Sequence, residues 1–442
     1  MAKEVDAILQ LVFAERCKTG QLDLEAVEMA LRTAMHRAGA AALAELLRTT
    51  APVEMGVPCQ YGHRARYHQM RPKQLSTVLG RLDIERAYYV CPSCHQGQSP
   101  RDRELDVEGT ECSPGVRRMM ALVGSQTSFD HGREELALLA GLEVTAKAVE
   151  RHAEAIGAAI AAAEQAEIQR AKQLDLPEVC APSVPIFYIE MDGTGVPVIK
   201  AETEGRAGKI EGQPAHTREV KLGCVFTQTT TDQEGRPVRD DDSTTYTGAI
   251  ETAENFGLRI YTEAWQRGWS RAKKKVVLGD GAVWIWNLAD QHFPGAIQIV
   301  DLYHARQHLW ELSAKLFPND ELSRKRWMAR CLRQLEGGEI EAVVKALRGL
   351  RPSSTELSKV VNNEADYFKR NAARMRYPAF RAQGLFVGSG VVEAGCKEVI
   401  GSRLKRSGMF WTVRGANAII ALRCCRLNGR FEDYWESRSR AA

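Results

Sequence analysis

The sequence predicts a multidomain α/β protein, and three observations predict it. Residues 184 to 301 pass through strand-like segments, an amphipathic helix and further strands, the order of a mixed sheet. Ala- and Leu-rich segments with helical periodicity flank that region. A short β stretch punctuated by Gly and Pro, carrying paired cysteines, precedes it. At 442 residues the chain exceeds what one core supports, so about two to four domains are expected.

Composition narrows the class. The chain is 44% hydrophobic and 26% charged, as in ordinary globular proteins. Sixty basic against 56 acidic residues leave a net charge of +4, a weak lean towards an anionic partner, so local clustering has to carry that argument. MAKEVDAILQ lacks the layout of a signal peptide, and the apolar run around AIGAAIAAA is too short to span a bilayer. No membrane partner is expected, and a cytoplasmic location is. Eleven cysteines, mostly scattered singly, do not form a secreted disulfide framework and read as reduced thiols except where spacing suggests metal.

The elements follow in order. Residues 1–50 read as an N-terminal helical region with helices at 4–17 and 24–48. Residues 51–112 form a small β module. In residues 113–175, HGREELALLAGLEVTAKAVERHAEAIG divides into a helix, a turn at Gly141 to Val144, and a second helix with Thr145 as N-cap, which reads as a helix-turn-helix. The segment DLPEVCAPSVP, 175–185, reads as a linker. Residues 184–304 hold IFYIEMDGTGVPVI, REVKLGCVFTQTT and STTYTGAI as strands, AENFGLRIYTEAWQRG as a helix, then KKVVLGD and AIQIVDLY as strands. Residues 305–385 are charged and helical. Residues 386–430 form a last helical region that begins after Gly388-Ser389-Gly390.

Three acids stand out. Asp192 and Asp280 are expected at the carboxyl ends of two strands, where ligand-facing groups of open α/β sheets gather. Each alone also suits a turn, because Asp before Gly is a turn signal. Glu393 falls in the first turns of a late helix, where an acid also favours the dipole. Three carboxylates in one cleft would repel unless a hard divalent cation met them. Mg²⁺ takes such oxygen ligands, and two ions together stabilise the attacking and leaving oxygens of a phosphoryl displacement.

The motifs MDGTGVPV, TREVKLG, VVLGDGAVWIWN, VDLYHA and GSGVVEAGCKEVIGSRLKRSGMFW resemble those of DDE transposases of bacterial insertion sequences, of the ISKra type related to the Mutator-like group. The likeness covers roughly residues 55–430. It implies an RNase H-like mixed sheet split by an α-helical insertion, with a catalytic triad at Asp192, Asp280 and Glu393 binding two Mg²⁺ (or Mn²⁺) ions. It implies an Asp-x-x-His signature at Asp301 and His304, which support the site; His304 alone also reads as a helix cap. Glu190, on the same strand face as Asp192, is a lower-ranked rival acid. The implied chemistry is cleavage at the transposon ends and strand transfer into target DNA, by a homodimer or higher oligomer associated with the nucleoid. A domesticated DNA-binding protein and a nuclease without strand transfer are the alternatives.

Two further sites are expected. Cys91 and Cys94 in YYVCPSCH, with Cys59 and His63 in PCQYGH, suit structural Zn²⁺ in a zinc-ribbon-like module. The family shows CxxC in the first half where this chain has Cys-x-x-x-His. His63, His68 and His95 are therefore all candidate fourth ligands, and a redox pair or free thiols remain as alternatives. For DNA binding, Lys147, Arg151 and His152 lie on the second helix of the helix-turn-helix, which alternatively packs against protein. Arg403, Lys405 and Arg406 beside Phe410 and Trp411 suit a backbone track with base stacking, or a solvated face with a buried aromatic anchor.

Overall fold

The computed structural model describes residues 23–48, 53–176, 183–208 and 213–441; the expected helix at 4–17 and most of the linker at 175–185 lie outside these. The described chain divides into two compact units, one comprising residues up to Ile156 together with those from Glu432 onward, the other Gly157–Phe431.

In the first unit, helix α1 (Leu24–Leu47) starts at Asp23, whose side chain accepts from Ala26 N–H at 3.2 Å. Four antiparallel strands follow in spatial sequence: β1 (Gly56–Pro58), β2 (Arg64–Thr77), β3 (Gly80–Val90) and β4 (Gly97–Gln98). Helices α2 (Pro114–Gln126) and α3 (Phe129–Glu135) are capped by Ser113 and Ser128. A wide π-type turn, Leu136–Ala140, ends at Gly141 with φ +67°, and α4 (Ala146–Lys172) begins after Thr145, whose hydroxyl accepts from Ala148 N–H at 3.1 Å. Val116, Met120, Leu136, Leu142 and Val149 bury together beneath these helices.

The second unit is built on a five-stranded mixed sheet. Its strands are β5 (Ile186–Pro197), β6 (Thr217–Gln228), β7 (Thr245–Ala249), β8 (Lys274–Gly279) and β9 (Ile297–Val300), ordered β9-β8-β5-β6-β7. β5, β6 and β7 pair antiparallel, while β8 runs parallel to both β5 and β9. The apolar run IFYI occupies the central strand, where both faces are covered, as a parallel neighbour requires. Helices α5 (Ala253–Gln266) and α6 (Val283–His292) make the crossovers that parallel strands need.

After β9 the described chain is helical: α7 (Leu302–Leu316), α8 (Glu321–Glu336), α9 (Ile340–Arg348) and α10 (Thr355–Asn371) lead the series. It returns to the sheet as α11 (Gly390–Gly395), which continues through a second π-type turn, Cys396–Gly401, before α12 (Val413–Leu427). The sheet and helices agree with the expected α/β class. One detail differs. Asp192 is not at a strand end, because β5 stays paired with β6 as far as Pro197, six residues beyond its last partner on β8.

Candidate functional site

Strand register brings the acids of the second unit into line. Met191, Gly279 and Val300 are partners across β5, β8 and β9, so the residues that follow them, Asp192, Asp280 and Asp301, form one row across three parallel strands. Neighbours in such a row lie about 4.8 Å apart along the hydrogen-bonding direction. Asp192 and Asp280 are half-buried, and Asp301 is fully buried. Helix α11 then delivers Glu393 to the same edge. A cleft of about 560 Å³ opens there, lined by Asp192, Tyr303, His304, Glu393, Lys397 and Lys405 among others.

The four acids differ in what occupies their oxygens. Asp301 caps α7, accepting from the N–H groups of Tyr303 and His304, and its other oxygen accepts from Ser389 N–H at 2.6 Å and from the Ser389 hydroxyl. Against its burial, the His304 imidazole first, then the Ser389 hydroxyl and N–H and the His304 N–H, hold the carboxyl below its usual range. Asp280 accepts from Ala282 N–H at 2.8 Å, which turns one oxygen onto its own loop, and its backbone carbonyl accepts from the Tyr367 hydroxyl at 2.9 Å. Gly281 makes room for that contact. Its φ is +96°, and a Cβ would stand 2.6 Å from the Tyr367 ring.

His304 Nδ1 lies 3.9 Å from Asp301 and 3.8 Å from Glu393, distances of ion pairs rather than hydrogen bonds. Asp301 above all pushes the imidazole up to about 9, with Asp280 and Glu393 adding and burial opposing, so a protonated ring stands among the carboxylates. The donor atoms of Asp301, His304 and Glu393 all fall within 4.8 Å of one another, a spacing that could hold a metal ion. The expected trio of Asp192, Asp280 and Glu393 is not a group of that tightness among the described residues. Asp192 and Glu393 line the cleft together, and Asp280 joins them through register.

Asp192 accepts from Gly193 N–H at 2.7 Å and from the Cys396 thiol at 3.4 Å. Burial raises its carboxyl above the ordinary value. The buried Arg423 ties down the π-type turn that carries Cys396, donating from Nε to Val399 O at 2.8 Å and from its terminal nitrogen to Glu398 O. Glu190, the rival acid, has no exposure at all, and burial pushes it up to about 8.

The cysteine cluster of the first unit forms as a set of four. Cys59, His63, Cys91 and Cys94 offer donor atoms within 4.8 Å of one another, and the Cys59 and Cys94 sulfurs are 3.9 Å apart. Each half is a tight turn: Cys59 N–H donates to His63 O at 2.8 Å, and Cys91 N–H donates to Gln96 O at 2.9 Å. Of the three candidate histidines, His63 is the one in the group. Backbone N–H groups of Cys94, then of Ser93, draw the Cys91 thiol down to about 6. Three sulfurs and one imidazole fit tetrahedral zinc.

The expected DNA contacts divide. Lys405 lines the cleft with its ammonium on the Thr194 hydroxyl, Arg406 is exposed, and Lys147 and Arg151 are exposed on α4, Lys147 paired with Glu150 at 2.8 Å. Arg403 and Trp411 do not fit the expectation. They are 0% and 6% exposed, Arg403 stacks 5.0 Å over the Trp411 ring, and the indole donates to Leu404 O at 3.1 Å, so the pair is a buried anchor. Phe410 is the exposed aromatic of that loop. Sequence reasoning missed Ser389, Cys396 and Tyr367. The first two sit inside the quoted GSGVVEAGCKE segment; nothing in the sequence signals Tyr367.

No protein family and no curated protein matches the chain. Among solved structures, the Drosophila P element transposase strand transfer complex is similar at a TM-score of 0.19 and 9% identity, over 57% of this chain and 66% of that one. A likeness of that size carries no argument about fold or function. No described helix is long and apolar enough to cross a membrane.

Proposed function

We propose that the chain is a DDE transposase that cuts DNA at the ends of an insertion sequence and joins them to target DNA. One observation carries the reading: Asp192 and Asp280 follow register partners on adjacent parallel strands, and Asp192 shares a cleft with Glu393, which is delivered by the helix that follows a long helical stretch. The strand order, three antiparallel strands with two parallel ones on the far side of the first, supports an RNase H-like sheet split by an insertion at about 305–385. On this reading residues 51–112 are a zinc-ribbon-like module in the first unit, and residues 113–175 are a helix-turn-helix whose last helix runs on past Ile156 into the second. The remaining boundaries on this reading are 1–50 for an N-terminal region, 184–304 for the first part of the catalytic domain and 386–430 for its last part.

The donor set fits hard divalent cations. Asp192, Asp280 and Glu393 are half-exposed oxygen donors with lone pairs left over, and these three would hold two Mg²⁺ or Mn²⁺ ions. When bound, such ions act as Lewis acids at the attacking and leaving oxygens of a phosphodiester. The protein's own part is positioning and charge. Protonated His304 holds Glu393 against Asp301, and Lys397 and Lys405 offer positive charge to the scissile phosphate. Water attacks phosphorus at the element's end and the strand leaves as a free 3′-OH. That hydroxyl then attacks a target phosphodiester, expelling the target's own 3′-oxygen, with no covalent protein intermediate.

Lys405 and Arg406 would track the backbone, and Lys147 and Arg151 would read the terminal repeat; Arg403 and Trp411 hold the loop in place. Two ends cut in concert imply a dimer or larger assembly acting at the nucleoid. The test incubates the protein and Mg²⁺ with labelled DNA carrying the sequences that flank its own gene. Cleavage and joining by wild type, lost in Asp192→Asn, Asp280→Asn and Glu393→Gln while end binding persists, is the expected outcome. Mg²⁺-dependent nicking retained by all three variants removes these residues from the active site. Cutting without joining makes the protein a nuclease, and binding without cutting makes it a DNA-binding protein.

A further inference from the structure

Glu190 lies on the central strand two residues before Asp192, with no exposure to solvent. One of its oxygens accepts from Val392 N–H at 2.8 Å, across 202 positions of sequence, and the Cys224 thiol stands 3.9 Å from that same oxygen. The other oxygen, Oε1, has no hydrogen-bond partner among the described residues. A buried carboxyl with half its capacity idle is unfavourable, and an apolar side chain of equal size would fill the space without that penalty. Packing alone does not account for it.

The N-terminus of α11 does. Ser389 stands at the N-cap position but makes no capping hydrogen bond, because its hydroxyl is committed to Asp301. Val392 is the third residue of the helix, and its N–H is one of the donors that the start of a helix leaves unpaired. Glu190 takes that donor from the strand side. Four residues on, Cys396 donates to Asp192. Alternate residues of a strand are about 6.7 Å apart and residues four apart on a helix rise about 6 Å, so two neighbouring strand acids meet two successive turns of one helix stripe. Glu393 is the residue directly after the first of these contacts.

We infer that Glu190 is a positioning residue that fixes the helix carrying Glu393 to the strand carrying Asp192, by serving from outside the helix as its missing N-terminal cap. The inference rests on the transposase reading for what Glu393 does, but not for the contact itself. Glu190 would touch neither metal nor DNA. It sets the distance and rotation at which the third acid faces the cleft.

The test compares zinc-loaded full-length protein with Glu190→Gln, which keeps an acceptor for Val392 N–H, and Glu190→Met, which keeps the length and loses the acceptor. Mn²⁺ binding is measured by calorimetry, with DNA cleavage and circular dichroism beside it. The expected result is that the Gln variant binds Mn²⁺ within threefold of wild type and cuts DNA, while the folded Met variant binds at least tenfold more weakly. A folded Met variant that binds as wild type overturns the inference, and so does a Met variant that fails to fold, since the residue is then structural first. A Gln variant as impaired as the Met variant also overturns it, because the acceptor is then not what matters. Wild type that binds Mn²⁺ but cuts no DNA defeats the transposase reading and leaves the Mn²⁺ comparison to decide on Glu190. Wild type that binds no Mn²⁺ defeats both.

Discussion

Replacing Asp301 with Asn separates an anchoring role from a metal-binding one. The Asp301 carboxylate is buried completely and accepts from four donors, two on α7 and two on Ser389. Asn offers a single acceptor oxygen. Turned to keep the cap of α7, it points an NH₂ group at the N–H and hydroxyl of Ser389, so donors face donors. Hydrogen bonds to charged groups contribute about 1.5–3 kcal/mol each, and losing two, with some recovery as the Ser389 hydroxyl rotates away, sets the deficit at about 3 kcal/mol. For a unit of this size that lowers Tm by roughly 6 °C or more. The sign with pH follows from the carboxyl being held below its usual range. Wild type draws stability from it above about pH 4 and loses it as pH falls through the folded value, so the two melting curves converge in acid. Scanning calorimetry of zinc-loaded protein with and without Mn²⁺ makes the measurement. A variant that melts within about 1 °C of wild type at neutral pH refutes the anchoring argument; a deficit seen only with Mn²⁺ present makes Asp301 a metal ligand instead.

Protein purified without chelator should carry about one zinc per chain, and stripping it, or Cys94→Ser, should raise hydrogen exchange across 56–98, where Cys59, Cys91 and Tyr89 are core residues, while the β5–β9 sheet keeps its protection. Gly281→Ala should cost more than about 2 kcal/mol, because it combines a positive φ with a clash on the Tyr367 ring, whereas Tyr367→Phe, which removes only the hydroxyl on Asp280 O, should cost about 1 kcal/mol; denaturant titrations ranking them the other way dismiss the close-approach argument. Burial keeps Glu190 protonated in the folded protein up to about 8, whereas the unfolded chain ionises near its ordinary value. Wild type should therefore lose stability between about pH 5 and pH 8 relative to Glu190→Gln, and parallel stability curves would contradict it. Trp411→Ala should lower Tm without altering the salt slope of DNA binding, and Lys405→Ala should do the reverse, as salt titrations of affinity and melting curves would report.

The strands of the sheet were legible because each is a short β-branched or aromatic run with a turn signal after it; Asp192 and Asp280 stand out because Asp-Gly follows two such runs, and Glu393 because it opens a late helix after Gly-Ser-Gly. What the sequence left open depends on pairing between strands. Whether β5 stops at Asp192 or runs on to Pro197 is decided by how far β6 extends, which no local pattern in MDGTGVPV encodes. The partners of the acids come from far along the chain: Ser389 lies 88 residues from Asp301, and Tyr367 lies 87 from Asp280. The basic–aromatic run at 403–411 misled for a different reason. Composition alone cannot distinguish a guanidinium on a buried ring from one facing solvent; Trp411 is buried where its backbone pairs with Pro197 and Ile199, while Phe410 beside it is exposed.

Five carboxyl side chains gather at the carboxyl edge of the parallel strands, and their environments sort them into two kinds. Glu190 and Asp301 are fully buried. One is held protonated by burial and takes a helix N–H; the other is ionised, with its oxygens engaged by four donors. Neither has what a cation needs, an ionised oxygen with lone pairs facing open space. Asp192, Asp280 and Glu393 are half-exposed and less engaged: Asp192 accepts from two donors and Asp280 from one, and Glu393 has the imidazole of His304 at ion-pair distance. The buried pair fixes the frame, Asp301 holding the lead into α11 and Glu190 its first turn. The half-exposed trio keeps free the oxygens that the proposed chemistry needs. A scheme that made Asp301 a principal ligand would first have to strip it of four donors, two of them from the loop that sets Glu393 in place.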